Sequence, residues 1–312
     1  MASYLRHLRR TMTQLAIRQA ITATKALPIG IQRSVVRSLV ASAAVVPMLR
    51  WKVYRNMRLA LGGDVPALAV RSYFRHVGWF LSNALVTFHR GFVHTSILQE
   101  IKFDDTVRVL DEAVAEKRGV VLAVPHWSGH ELAAAALNLR HPMVMLVRQA
   151  STPEGAAQKL KWYEALGAEI VLRPSAASTI RDAVAYLHVL KRGRVLAVTP
   201  DLLAGPEQGL EVSIFGRRAR LYAGAFALAV SANAPLIRVS ARWQNDSTLV
   251  GTFERATPPA SDDRDAAVRA AAQDWCRWFE GRLRAHPESW LFWLDKRWSR
   301  FLRATPRVSR FE

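Results

Sequence analysis

Along the middle of the chain, short continuous apolar runs alternate with segments whose apolar positions recur at helical spacing. The runs at 119–125, 143–149, 169–173 and 194–199 read as buried strands, and the stretches at 106–117, 155–166 and 178–191 read as helices. Beyond a Gly- and Pro-containing loop at 203–209, the pattern predicts strands near 211–215, 235–241 and 248–254 and helices over 222–233 and 265–285. Helix and strand taking turns imply an α/β fold: a mostly parallel central sheet with helices on both faces. Residues 1–100 keep helical periodicity, broken at Pro28-Ile29-Gly30 and Gly62-Gly63-Asp64, and predict a helical, basic N-terminal region. The expected organisation is a front region over 1–100 and a core over 101–312, joined as one continuous domain.

With 312 residues, half of them hydrophobic, the chain can bury a full core. Its single cysteine, Cys276, excludes an internal disulfide and a multi-cysteine metal site; its helical setting reads as a buried structural thiol. The formal net charge of +19 adds more, because it is concentrated at the front: cations run from Arg6 to Arg58 before the first acid, Asp64. They are interleaved with Leu5, Leu8, Leu15, Ile21, Leu27 and Val35, which makes apolar and basic faces. That pattern favours an anionic membrane surface over nucleic acid, with a basic helix packed on its own domain as the alternative. The longest apolar stretch, Leu39 to Leu49, contains Pro47 and falls short of the roughly 20 residues that span hydrocarbon. A peripheral association follows. The long charged region and late apolar run do not read as a secretory signal.

One apolar strand ends in chemistry. Val121-Leu122-Ala123-Val124-Pro125 leads into His126-Trp127-Ser128-Gly129-His130-Glu131, and ligands of open α/β sheets collect at the carboxyl ends of strands. A neutral imidazole there can take a proton from an alcohol, and a carboxylate on its other nitrogen would fix the tautomer. His126 is the candidate base and Glu131 its candidate partner. Five positions on one helix point about 140° apart, so the two can meet only if His126 lies in the turn before the helix. His126 and His130 also have the spacing of a helical metal-binding pair, which leaves a metal-dependent hydrolase as one alternative and a non-catalytic basic membrane- or nucleic-acid-binding protein as another. Ser128 lacks the Gly-x-Ser-x-Gly setting of a nucleophile. Backbone amides from Trp127 to Gly129 are candidate oxyanion donors.

The ordered set of motifs resembles a family. The strand leading to His-x4-Glu, the upstream Arg55-Asn56-Met57-Arg58-Leu59-Ala60-Leu61-Gly62, Pro200-Asp201, Ile214 to Arg220 with Gly224, and His286-Pro287-Glu288-Ser289-Trp290 through Lys296-Arg297-Trp298 look like the bacterial lipid A biosynthesis (lauroyl/myristoyl) acyltransferases, which include the phosphatidylinositol mannoside acyltransferases. The resemblance covers nearly the whole chain. It implies transfer of a fatty acyl group from an acyl carrier protein or coenzyme A thioester to a glycolipid hydroxyl, with no cofactor beyond that co-substrate. It also implies a peripheral place at the cytoplasmic face of the bacterial inner membrane, and no nucleic acid partner.

By the same resemblance His126 is the base and Glu131 its support. Asp201 matches an acidic position that supports the site or positions the acceptor, unless it serves only a turn or N-cap. Arg148 matches a basic position near head group or donor phosphates. Where many relatives carry Gly-Asn-Trp, this chain has Ser128-Gly129-His130, which bears on the packing around the dyad and the choice of acceptor. Arg217, Arg218 and Arg220, just before a predicted helix start, are candidate phosphate ligands or a solvated loop. Trp290, Trp293 and Trp298, set among cations, suit either the lipid interface or aromatic packing on the sheet.

Overall fold

A computed structural model describes residue 19 and residues 22–63, 65–94, 96–150, 152–173, 180–258 and 261–306. The cations Arg6, Arg9, Arg10 and Arg18, and the apolar residues between them, lie outside the described residues. Three helices come first: α1 (Ile29–Ala43), α2 (Pro47–Leu61) and α3 (Ala67–Arg90). Pro47 opens α2, where a missing N–H costs nothing, and Gly62 and Gly91 take up positive φ after α2 and α3.

The core then alternates helix and strand: β1 (Ile101–Phe103), α4 (Val107–Ala115), β2 (Val120–Ala123), α5 (His130–Asn138), β3 (Met143–Arg148), α6 (Pro153–Ala165), β4 (Glu169–Arg173), α7 (Ile180–Lys191) and β5 (Val195–Val198). There follow β6 (Leu210–Ile214), β7 (Arg217–Leu221), α8 (Gly224–Ala232), β8 (Leu236–Asn245), β9 (Thr248–Arg255), α9 (Arg264–Ala285) and α10 (Lys296–Ala304). Seven strands form one sheet in the order β1-β9-β8-β2-β5-β3-β4, parallel throughout except at β8–β9. All four residues of β2 and of β5 are buried. Because successive side chains of a strand point to opposite faces, both faces of the sheet are covered there.

Two details depart from the pattern. Arg217 to Leu221 is no loop: it pairs antiparallel with β6 in a separate hairpin, with Leu210 opposite Leu221. The alternation buried-exposed-buried along β7 is the signature of a half-covered strand, masked in the sequence because one inward position is an arginine. The short β1, paired in parallel with β9, also arises where the sequence shows no strand signal.

The helical front is tied to the carboxyl-terminal segment by buried polar contacts. Asn56 donates to the Trp293 carbonyl (2.7 Å) and to Ser299 Oγ (2.8 Å), and Tyr73 Oη donates to the Leu291 carbonyl (3.0 Å). Trp290, Trp293 and Trp298 are all fully buried with Phe215 and Phe279. The aromatic-packing alternative therefore holds for them, and no lipid-facing role remains. Cys276 is buried as well, and burial, with Glu280 nearby, pushes its thiol pKa far up.

Candidate active site

The site is a consequence of strand register. In the parallel pair β2–β5, Ala123 lies beside Val198, and the Val124 amide continues the ladder by donating to the Val198 carbonyl (2.9 Å). Three residues beyond each of these partners stand His126 and Asp201. They meet: His126 Nδ1 is 2.7 Å from Asp201 Oδ1, and the His126 amide donates to Oδ2 (2.9 Å).

Asp201 has no solvent exposure. Trp290 Nε1 donates to its Oδ2 (2.8 Å), and Trp298 Nε1 donates to its backbone carbonyl (3.0 Å). Burial alone would raise the carboxyl pKa, yet it lies below the ordinary value. The His126 charge and the hydrogen bonds from His126 and Trp290 outweigh desolvation. The aspartate is therefore an anion whose demand on Nδ1 is for a proton. With that proton on Nδ1, Nε2 of a neutral imidazole carries the free lone pair. Phe292 stacks on the His126 ring at 4.1 Å between centroids, and the loop is held by Leu291 N donating to the His126 carbonyl (2.9 Å).

Glu131 is placed differently from the sequence expectation. The helix α5 begins at His130, after Gly129 in the left-handed region (φ 96°), so His126 does precede the helix. The loop turns the imidazole toward β5, however, and Glu131 Oε1 accepts from Tyr163 Oη (2.9 Å) on α6 instead. Burial, then the neighbouring Glu131 charge, raise the Tyr163 pKa, which keeps its hydroxyl a donor. The partner of the imidazole is Asp201. A β-sheet neighbour outside the motif supplies what the acid inside it was expected to supply.

His126, His130 and Glu131 line a cavity of about 660 Å³. Leu146, Leu187, Leu202, Leu228 and Leu291 make much of its wall, and Arg148, Lys159, Arg173 and Arg264 also line it. None of these four cations forms an ion pair among the described residues. Arg148 ends β3 as expected, and its carbonyl accepts from Lys159 Nζ (2.7 Å); burial, with Arg148 close by, lowers the Lys159 pKa. Arg173 lies 4.4 Å from the centre of the Tyr222 ring.

Arg217, Arg218 and Arg220 are not brought to this cavity. Arg217 is buried under the hairpin, donating to the carbonyls of Thr305 (2.8 Å), Leu59 (2.8 Å) and Phe215 (3.0 Å). Arg218 points outward on β7, and Arg220 lies 3.9 Å from Glu211 across the hairpin. Two of the expected oxyanion donors are likewise engaged, since Trp127 N donates to the Pro125 carbonyl (2.6 Å) and Ser128 N to the Ser289 carbonyl (2.7 Å). The His126–His130 pair has no third ligand: among the described residues no group of three or more His, Cys, Asp or Glu side chains is arranged to hold a metal. Sequence reasoning missed Tyr163, Lys159, Arg173 and Arg264, none of which belongs to a local motif, and Phe292, which lies within the quoted carboxyl-terminal motif without a signal of its own. Trp290 stood inside a quoted motif but gave no sign of touching a carboxylate.

The site of this α/β fold is thus an imidazole oriented by a buried aspartate at the end of parallel strands, open to an apolar cavity with cations in its wall. The chain belongs to the bacterial lipid A biosynthesis acyltransferase family, whose family model matches residues 2–300. It is similar to the phosphatidylinositol mannoside acyltransferase of Mycobacterium tuberculosis, in strains CDC 1551 / Oshkosh and ATCC 25618 / H37Rv, at 28% identity over 184 residues in each case. That match takes in 58% of this chain and 55% of each relative, so the chain spans about half the length of the curated relatives it matches.

Proposed function

We propose that the protein transfers a fatty acyl group from a coenzyme A or acyl-carrier-protein thioester to a hydroxyl of a membrane glycolipid. His126 Nε2 takes the proton of the acceptor hydroxyl as its oxygen attacks the thioester carbonyl carbon. The tetrahedral oxyanion collapses, the carbon–sulfur bond breaks, and the leaving thiolate takes the proton from the imidazolium. An ester and a free thiol result, and His126 is neutral again. Asp201 stays ionised throughout, holding the tautomer and stabilising the imidazolium.

The single observation that carries this reading is His126 seated on buried Asp201 beside a cavity walled by leucines. An apolar wall suits an acyl chain. Among the described residues, four lining cations without ion pairs stand against the one lining carboxylate of Glu131, which suits the phosphates of a donor or of a lipid head group.

A peripheral place at the cytoplasmic face of the bacterial inner membrane fits the front helices. Ile31, Leu39, Val45, Met48 and Trp51 are exposed on α1, α2 and the link between them, beside Arg50 and Lys52. No single described helix is long and apolar enough to cross a membrane; α1 and α2 pass that test only as a pair bent by 77°. Apolar side chains outside a basic scaffold suit the interface of an anionic bilayer.

The test is chemical. Purified protein is incubated with palmitoyl-coenzyme A and vesicles carrying a phosphatidylinositol mannoside or a lipid A precursor, and the lipids are weighed by mass spectrometry. A new palmitoyl ester that His126→Ala abolishes is the expected result. Failure of the wild type to acylate either lipid, or equal yields from His126→Ala, would sink the proposal.

A further inference from the structure

The cavity contains a second imidazole that the reaction above leaves unused. His130 opens α5, and its Nδ1 is 2.8 Å from the carbonyl oxygen of Trp127. A carbonyl can only accept, so Nδ1 carries the proton. Burial lowers the His130 pKa and outweighs the neighbouring Glu131 charge, which acts the other way, so the ring is neutral. Its Nε2 is then a bare acceptor, and no donor among the described residues bonds to it. The ring lines the cavity with its centroid 5.1 Å from that of His126 and tilted by 60° to it. Gly129 sets the ring in place: its left-handed backbone starts the helix, and a Cβ there would lie 2.9 Å from Leu249 Cδ2.

Two imidazoles thus present free ring nitrogens to one cavity from neighbouring positions. His126 removes the proton of the hydroxyl that reacts. We infer that His130 Nε2 accepts a hydrogen bond from a second hydroxyl of the same acceptor, close to the reacting one, so that the site selects polyols such as a sugar, inositol or glycerol unit over simple alcohols. This rests on the acyltransferase reading, whose acceptor is already a glycolipid, and adds to it the side chain that reads the hydroxyl beside the reacting one. A buried acceptor left without its donor costs about 1–3 kcal/mol, which amounts to roughly a ten- to hundredfold loss in kcat/KM.

The experiment uses palmitoyl-coenzyme A as donor and octyl α-mannopyranoside with its monodeoxy analogues as acceptors. Product analysis first locates the acylated hydroxyl. With the wild type, one analogue that retains that hydroxyl should be acylated about ten- to a hundredfold more slowly than the parent. His130→Phe keeps the packing beside Phe80 and should lose a similar factor on the parent, with no further loss on that analogue; His130→Gln, which keeps an accepting oxygen, should recover part of it. The wild-type series decides even if a variant fails to fold. Equal rates for all analogues that retain the reacting hydroxyl, or variant and analogue losses that multiply, would overturn the inference. His126→Ala runs alongside: a wild type that acylates no acceptor, or a His126→Ala protein as active as the wild type, removes both readings. Transfer that depends on His126 without the His130 pattern removes this one alone.

Discussion

Trp290 Nε1 lies 2.8 Å from Asp201 Oδ2, so an indole 89 positions away in sequence supplies one of the two N–H groups that hold this oxygen. The other is the His126 amide. Asp201 and Trp290 are fully buried, and a carboxylate deprived of a donor there has no water to replace it. Trp290→Phe should destabilise the protein by about 2–4 kcal/mol, combining the lost charged hydrogen bond with the smaller ring. Urea denaturation checks this, and a midpoint equal to that of the wild type would show that the indole does not hold the carboxylate.

The two acids near His126 should separate by kinetic signature. Asp201→Asn removes the charge that fixes the proton on Nδ1, so kcat should fall by about 10²–10⁴-fold while the acceptor still binds. Glu131→Gln leaves His126 and Asp201 in contact and changes the charge of a wall shared with Arg148 and Lys159, so its larger effect should fall on KM. Steady-state kinetics with both substrates varied would reveal the opposite assignment if Glu131→Gln collapsed kcat and Asp201→Asn did not.

Acid should weaken the fold through His76. Its ring is buried in α3, stacked on Trp79, with Nδ1 lacking a partner. Burial, then Arg75, Arg242 and His286, lower its pKa from the ordinary value to about 3. Between that value and about 6.5 the unfolded chain binds the proton and the folded chain does not, so stability is full above the window and falls as pH drops through it. From pH 7 to pH 5 this one group should remove about 2 kcal/mol. Urea midpoints at both pH values should show the loss in the wild type and a smaller one in His76→Gln; parallel losses in the two proteins would assign the acid sensitivity elsewhere.

The exposed apolar side chains of the front helices should govern binding to lipid. Met48 and Trp51 are 73% and 56% exposed, against a cationic surround. Replacing both by glutamate removes insertion and adds repulsion, and should lower partition onto anionic vesicles by about tenfold or more. Vesicle sedimentation checks it. Undiminished binding would move the contact to another face.

The sequence by itself determined most of the order of elements, though not β1 or β7, the place of His126 at the end of a strand, and the family. Apolar runs and helical spacing are local, and they placed β2, β3, β4 and β5 within two residues of their observed ends. His126 at the end of a buried strand was legible for the same reason. What the sequence could not decide was which acid would reach it, because Glu131 is near in the chain and Asp201 is near only across a parallel strand pair. The register of β2 on β5 is set by packing on both faces of the sheet, and it carries Asp201 to the imidazole while the turn at Gly129 carries Glu131 to Tyr163. Arg217 teaches the same lesson: a cation read from the chain as a phosphate ligand or part of a solvated loop became the internal prop of a hairpin, since the distant carbonyls of Leu59 and Thr305 converge on it with that of nearby Phe215. Local spacing sets what a segment can be. Partners for buried charge are chosen by long-range packing, where each unpaired group would cost more than the segment's own preferences can repay.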